Sequence, residues 1–402
     1  VITPLYLPFL DNDPEMAQQT APVFYGAVNA FLEQKISMFR HAPLWLKRFL
    51  DAPALLNWAA RRAGSTRSTG LEDMTISVLD GLNGNHAAQL TELVTWLKET
   101  AQPDVVHLSN ALLAGIAPAA KSDLGRPVVC TLQDEDTWVD AMRSPYRERC
   151  WHQLREMGDH IDRFLPVSDH YAAAMQKRLH IPPEKCRVVR PGIDPALFSP
   201  RHEVTSPRTI GFLSPLTEES GLDILIDAYL TLRERPEFSD VKLRATGGAG
   251  HDRRFLPAMR RRLKRAGLNP DDIFVDAFRQ PARSAFLRDL SLLSVPNRNG
   301  EAFGVFLLEA MACGVPVVQP ALGAYPEIVH ATGGGVIYEP NDAPTLARRL
   351  AHVLGDGNQW EELRQQGVKQ VGGEHTLAKR AAQMGDVYRE VAEAKGMGQT
   401  RQ

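Results

Sequence analysis

The chain has 402 residues, a formal net charge of −2 and 44% hydrophobic residues, the composition of a soluble globular protein with two or three domains. A charge so near zero gives no electrostatic case for nucleic acid, and no apolar run approaches the roughly 20 residues that span a bilayer. Cys130, Cys150, Cys186 and Cys313 form no C-x-x-C pair and have no histidine at zinc spacing, which excludes a zinc ribbon and reads as buried, reduced thiols in the cytoplasm.

Val1 is an unusual first residue, which suggests a trimmed chain or an omitted leader; no signal peptide is visible. Residues 1–4 read as the end of a first strand. A loop rich in Pro and Asp follows, and residues 23–29 open a helix in which Gly26 lets a ligand approach the backbone. Residues 39–62 interleave Phe39, Trp45, Phe49 and Trp58 with Arg40, Lys47, Arg48, Arg61 and Arg62. Such a segment, an insertion over 38–63, either packs its aromatics onto the domain or lies on an anionic membrane, a peripheral contact at the inner face.

From residue 75 the pattern alternates regularly. Strands are expected over 76–79, 105–108, 127–132, 164–168 and 187–189, with helices over 86–99, 111–121, 146–157 and 169–179. Strands alternating with helices imply a doubly wound parallel sheet with ligands at the carboxyl ends of its strands. Three strand ends carry polar residues: His107 with Ser109 and Asn110, the run Gln133-Asp134-Glu135-Asp136, and Ser168-Asp169-His170. Asp134, Glu135 or Asp136 suits a substrate contact or a general base. Each equally suits a helix cap or turn.

A Pro- and Ser-rich linker over 193–207 precedes a second alternating set. Its strands fall over 209–213, 241–245, 273–275, 290–295, 315–318 and 335–338. Its helices fall over 222–233, 253–266, 282–288, 305–312, 343–354 and 377–394. The resulting division is 1–195 for the first domain, 196–375 for the second, and 376–402 for a last helix returning to the first. No G-x-G-x-x-G follows either first strand, which argues against a dinucleotide oxidoreductase.

The stretch 295–327 is the most informative. It reads as strand, glycine-bearing loop, short helix and strand, with Gly314 as a C-cap. A helix that starts after a glycine loop presents free backbone N–H groups, and those favour an anion. Glu301 in the loop and Glu309 two turns along add hydroxyl acceptors at either side, a pocket shaped for an anionic group attached to a polyol.

Glu301 and Glu309, with Phe303-Gly304 and the run from Leu308 to Pro316, resemble the E-x7-E signature of retaining glycosyltransferases of family 4 that use nucleotide sugars. The resemblance implies the GT-B fold, two Rossmann-like α/β domains with doubly wound parallel sheets facing across a cleft. It implies a retaining, metal-independent hexosyl transfer from a nucleoside-diphosphate sugar, with no further cofactor. By the same resemblance Glu301, Phe303 and Gly304 meet the donor sugar and Glu309 the ribose. Gly26 and Gly247 lie by the donor, and His107, Asp136 and His170 face a carbohydrate, lipid or small-molecule acceptor; Asp134 acts in catalysis on the reading of the residues alone.

Two departures stand out. Family members carry Arg and Lys after the first strand of the second domain, where Pro215 and Ser220 stand here, and many carry His or Gly at Gln133 and Asp134. Charge that develops on a leaving diphosphate needs stabilisation. Either other cations substitute, with Arg298 preferred over Arg253, Arg254 and Arg279, or the chain no longer transfers sugar. A non-catalytic nucleotide-sugar binder and a nucleotide-sugar epimerase are the alternatives.

Overall fold

The computed structural model describes residues 71–200, 207–248, 250 and 252–396. The expectations for Gly26 and for segment 39–62 lie outside the described residues. By its internal contacts the chain divides into two compact units. The first runs to Leu165 and adds Ala174–Arg187 and the chain from Val387; the second comprises Pro166–Ala173 and Val188–Asp386.

The described chain starts with α1 (Glu72–Leu79), where a strand was expected over 76–79. Thr75, Ile76 and Val78 favour a strand locally, but Glu72, Thr75, Ile76 and Leu79 are buried at helical spacing, and Thr75 Oγ1 donates back to Leu71 O at 3.1 Å. Burial of that stripe outweighs the propensity of three β-branched or small residues. There follow α2 (Ala87–Trp96), β1 (Val106–Leu108), α3 (Ala117–Ser122), β2 (Val128–Leu132) and α4 (Glu135–Asp140). Then come α5 (Tyr146–Gly158), β3 (Arg163–Pro166) and α6 (Asp169–Leu179). The sheet order is β1-β2-β3, with β1 and β2 parallel. Every residue of β2 is buried, as in a strand covered on both faces. Over 187–189 no strand forms: Cys186, just ahead, bridges Phe164, and Arg187 N and Val189 N donate to Phe164 O at 2.9 Å and Pro166 O at 3.0 Å.

The second unit is built from β4 (Thr209–Leu213), α7 (Leu222–Arg233), β5 (Lys242–Thr246), α8 (Phe255–Arg265) and α9 (Pro270–Ile273). It continues with α10 (Ala282–Arg288), β6 (Leu292–Leu293), α11 (Val305–Ala312), β7 (Val317–Pro320) and α12 (Tyr325–Thr332). It ends with β8 (Gly335–Tyr338), α13 (Ala343–Gly355), α14 (Gly357–Glu374) and most of α15 (Leu377–Ala394). Of the strand expected over 273–275, Ile273 instead ends the short helix α9. Pro270 is preset for a first helical position and Asn269 Oδ1 caps Asp271 N at 3.2 Å, which leaves only a bridge from Phe274 to Ala245. The five strands lie in the order β5-β4-β6-β7-β8, all parallel. The chain leaves β4 toward one edge and returns to build toward the other. The switch point therefore falls between β4 and β6, where such sheets open a crevice at their carboxyl ends.

Burial pushes the Cys150 and Cys313 thiols up to about 12 and raises Cys130 well above its ordinary value. These are protonated, unreactive groups.

His375 precedes α15, and its carbonyl accepts from Ile193 N at 2.9 Å. Burial and then the nearby Arg190 lower its pKa below the ordinary 6.5. The folded protein thus binds fewer protons than the unfolded chain below pH 6.5. Stability is highest above that value and falls on acidification through the depressed pKa. Melting temperature should drop between pH 7.5 and 5.5, and His375→Gln should make that drop smaller; an unchanged pH slope would refute the assignment.

Candidate functional site

The loops at the carboxyl ends of β4, β5, β6, β7 and β8 interlock. Gly221, at φ +76 before α7, faces the Pro296 carbonyl with no room for a Cβ. Gly247 lies as close to the Ser214 carbonyl, and Leu216 N donates to Gly248 O at 2.9 Å. Gly300 (φ +71) and Gly323 (φ +57) stand back to back: a Cβ on Gly300 would lie 2.6 Å from Gly323 Cα, and one on Gly323 2.5 Å from Glu301 N. Asn341, after β8, donates through Nδ2 to Pro296 O at 3.2 Å and Asn297 O at 3.1 Å.

This packing fixes the turn that leads into α11. Glu301 O accepts from Ala324 N at 3.0 Å. Ala302 O accepts from Ser168 Oγ at 2.6 Å, and the Ser168 hydroxyl oxygen in turn accepts from Tyr171 N at 3.0 Å. In a planar trans peptide the N–H points opposite its carbonyl, so tying Ala302 O aims Phe303 N the other way. Gly304, at φ +96, enters the helix with no side-chain cap. Phe303, Gly304 and Val305 thus present amide donors at a helix start, the arrangement that favours an anion.

The segment that carries Ser168 is held again one residue on. Glu327 accepts from Asp169 N at 3.2 Å and His170 N at 3.1 Å, and from Arg190 Nε at 2.9 Å. His170, expected on the acceptor side, is exposed and bound here through its backbone.

Glu309, expected at the nucleotide ribose, is largely buried and ion-paired. Arg283 Nε donates to its Oε2 at 2.8 Å, and Arg283 Nη2 joins the same oxygen. Among the described residues Oε1 has no hydrogen-bond partner. Burial raises the Glu309 pKa, and Arg283 opposes that rise by charge and by hydrogen bonding. The Arg283 guanidinium lies 5.3 Å from the Phe278 ring. Sequence reasoning missed Arg283; its only signal was a cation in a helix just ahead of the 295–327 stretch.

Arg298 does not point free into this site as expected. It donates to Asp223 Oδ1 at 2.9 Å and Oδ2 at 2.6 Å and also meets Glu218 O, so its charge is committed to bracing the β6 loop against α7. Where the resemblance expects cations, Ser220 forms a buried hydroxyl cluster with Thr217 Oγ1 at 3.1 Å and Ser214 Oγ at 3.3 Å. Glu218 and Glu219 are the charged side chains of that loop.

The remaining candidates belong to the first unit. Both His107 ring nitrogens are engaged, Nδ1 with Tyr388 Oη at 2.7 Å and Nε2 with Thr131 Oγ1 at 2.8 Å. Glu135 is buried and accepts from Ala111 N at 2.9 Å and Gln133 N at 2.8 Å, so it is a loop clamp. Asp134 is exposed at φ +57, and Asp136 is half-buried in the first turn of α4.

The two halves match two family models, glycosyltransferase family 4 over residues 74–197 and glycosyl transferases group 1 over 207–356. Both matched regions are described by glycosyltransferase domain models, which supports a glycosyltransferase of the GT-B type. One relative, the putative colanic acid biosynthesis glycosyltransferase WcaL of Escherichia coli, is 35% identical over 210 residues, 50% of this chain and 49% of the relative. The D-inositol 3-phosphate glycosyltransferase of Thermobispora bispora is 26% identical over 313 residues, 73% of this chain and 72% of the relative. The match therefore spans about half the length of the first relative and nearly three quarters of the second. Among solved structures, Anabaena HepE in complex with UDP superposes with a TM-score of 0.64 at 18% identity, covering 75% of this chain and 81% of HepE. That likeness supports two Rossmann-like α/β domains of the GT-B type.

Proposed function

We propose that the chain is a retaining, metal-independent hexosyltransferase that moves a sugar from a nucleoside-diphosphate sugar to a hydroxyl-bearing acceptor. The observation that carries this reading is the Phe303-Gly304-Val305 amide turn, with Glu301 and Glu309 of the same strand–loop–helix unit at either side. The amides meet the diphosphate or the sugar, Glu301 holds the sugar, and Glu309 Oε1 accepts from a ribose hydroxyl. No cation stands at 215 or 220, so backbone donors carry more of the charge that develops on the leaving group. Arg283 offsets part of the rise that burial imposes on the Glu309 carboxyl. On the acceptor side, Asp134 and Asp136 offer carboxylates and Asp134 is the base; the acceptor is a carbohydrate, a lipid or a small molecule.

HepE has been solved with UDP and with UDP-glucose, which makes uridine donors the first to test. The decisive assay is a calorimetric screen of UDP-, GDP- and ADP-sugars, followed by NMR of the product anomeric centre. Saturable donor binding with transfer and retained configuration supports the proposal. Binding without turnover across a broad acceptor panel supports the second reading, a non-catalytic nucleotide-sugar binder, which the acidic Glu218-Glu219 loop favours. Donor interconversion without an acceptor indicates an epimerase.

Ser168→Ala tests the turn directly. Removing the hydroxyl deletes the Ser168 hydrogen bond to the Ala302 carbonyl, a loss of about 0.5–1.5 kcal/mol, and loosens the orientation of the Phe303 amide. Donor KM should rise about tenfold with a smaller change in kcat, and Ser168→Thr should restore it; equal kinetics for all three proteins would discard the orienting role.

A further inference from the structure

We propose that the outward face of α8 is a docking strip for an anionic phospholipid surface. Residues 253–265 hold Arg253, Arg254, Arg260, Arg261, Arg262, Lys264 and Arg265, and no acid. The whole chain is nearly neutral, so this concentration is local.

Three of these cations have acidic neighbours. Arg260 pairs with Asp271 at 2.6 Å, Arg262 pairs with Asp227, and Lys264 lies near enough to Asp271 to help hold its carboxyl below the ordinary range. Arg253, Arg254, Arg261 and Arg265 are exposed and have no ion-pair partner among the described residues. Asp252 lies just ahead, and its carboxylate accepts from the Arg254 backbone N at 2.8 Å.

Helix stability does not account for this pattern. Cations in the last turn suit the helix dipole, which covers Arg265 but not Arg261, and Arg253 and Arg254 stand at the N-terminal end, where the dipole disfavours positive charge. Arg254, Arg261 and Arg265 recur at i, i+7 and i+11, so they share one face over roughly 16 Å of helix. Leu263 is buried on the opposite face.

A pocket for a small anion does not fit. The second unit has a cavity of about 730 Å³ at the amino ends of β4 and β5, and none of the four arginines lines it. A strip of solvent-facing guanidinium groups on a convex helix suits an extended negative plane. Basic clusters on amphipathic helices are drawn to such a surface, and arginine forks match phosphate oxygens.

Cosedimentation of the full chain with vesicles tests this. The wild type should bind vesicles of phosphatidylcholine with about one third phosphatidylglycerol, should ignore pure phosphatidylcholine, and should be released by high salt. The variant Arg253→Gln/Arg254→Gln/Arg261→Gln/Arg265→Gln should lose at least tenfold in partitioning with its melting temperature unchanged. The exposed control Arg349→Gln/Lys369→Gln should bind as wild type does. Wild type that stays in the supernatant, or a quadruple variant that binds as well as the control, overturns the proposal. Wild type held by immobilised heparin but not by the vesicles would reassign the strip to an acidic polysaccharide and also overturn it.

Discussion

Gly300→Ala should lower the unfolding free energy by about 2 kcal/mol or more and weaken nucleotide-sugar binding at least tenfold. The left-handed backbone costs an L-residue about 1–2 kcal/mol, and here φ is +71. The added methyl also meets the Gly323 backbone at 2.6 Å from its Cα. Backbone cannot rotate aside as a side chain does, so the β6 and β7 loops must part. Glu301 and the amide turn follow, since Glu301 O is bound to Ala324 N in the β7 loop. Calorimetry should show the melting temperature falling by roughly 4–8 °C at about 2–4 °C per kcal/mol. Gly372→Ala is the control: it sits inside α14 with nothing within 4 Å of a new Cβ, and it should be neutral or stabilising. A Gly300→Ala protein with wild-type donor affinity would break the link between the glycine contact and the site.

Arg283→Leu should reduce donor affinity at pH 7 by ten- to a hundredfold and make it depend on pH. Burial already raises the Glu309 pKa, and Arg283 is the group that lowers it. Without the guanidinium the carboxyl rises further, so a larger fraction is protonated at a given pH. A protonated carboxyl accepts a ribose hydroxyl less well, so affinity should recover as pH rises through the raised value. The stability sign is opposite. A carboxyl with a raised folded pKa favours the folded state at low pH, and this contribution is lost as pH rises. Titration calorimetry at pH 6, 7 and 8 separates the two effects. Glu309→Gln in the Arg283→Leu background should abolish the pH slope, and a slope that survives would place the titrating group elsewhere.

The sequence was most legible where periodicity and capping agree. Helices over 169–179, 222–233, 282–288, 305–312 and 377–394 and strands over 209–213 and 335–338 match the structure residue for residue. Residues 76–79 read as a strand because their β-branched content is a local signal, whereas the buried stripe that makes them helical requires packing partners. Helix α14 was missed because its polar face hides the pattern: Trp360, Gly367 and Val371 are its buried residues. The amide turn and both glutamates were legible from 295–327, since glycine and helix-start chemistry are local. Arg283, Ser168 and Glu327 were not legible as a support set. They come from distant parts of the chain, and spacing within one segment carries no information about such meetings. Arg298 was read as a ligand cation for the same reason, since its partner Asp223 lies 75 positions earlier.

The first unit is completed by the end of the chain. Tyr388 engages His107, and Glu390 meets Arg163 and, at 3.0 Å, Arg187. Cutting the polypeptide at a single point near 195 therefore severs this lobe from its own closing helix. An isolated amino-terminal fragment should need residues 377–396 supplied in trans, which makes the last helix a natural complementation tag for reporting whether that lobe has assembled.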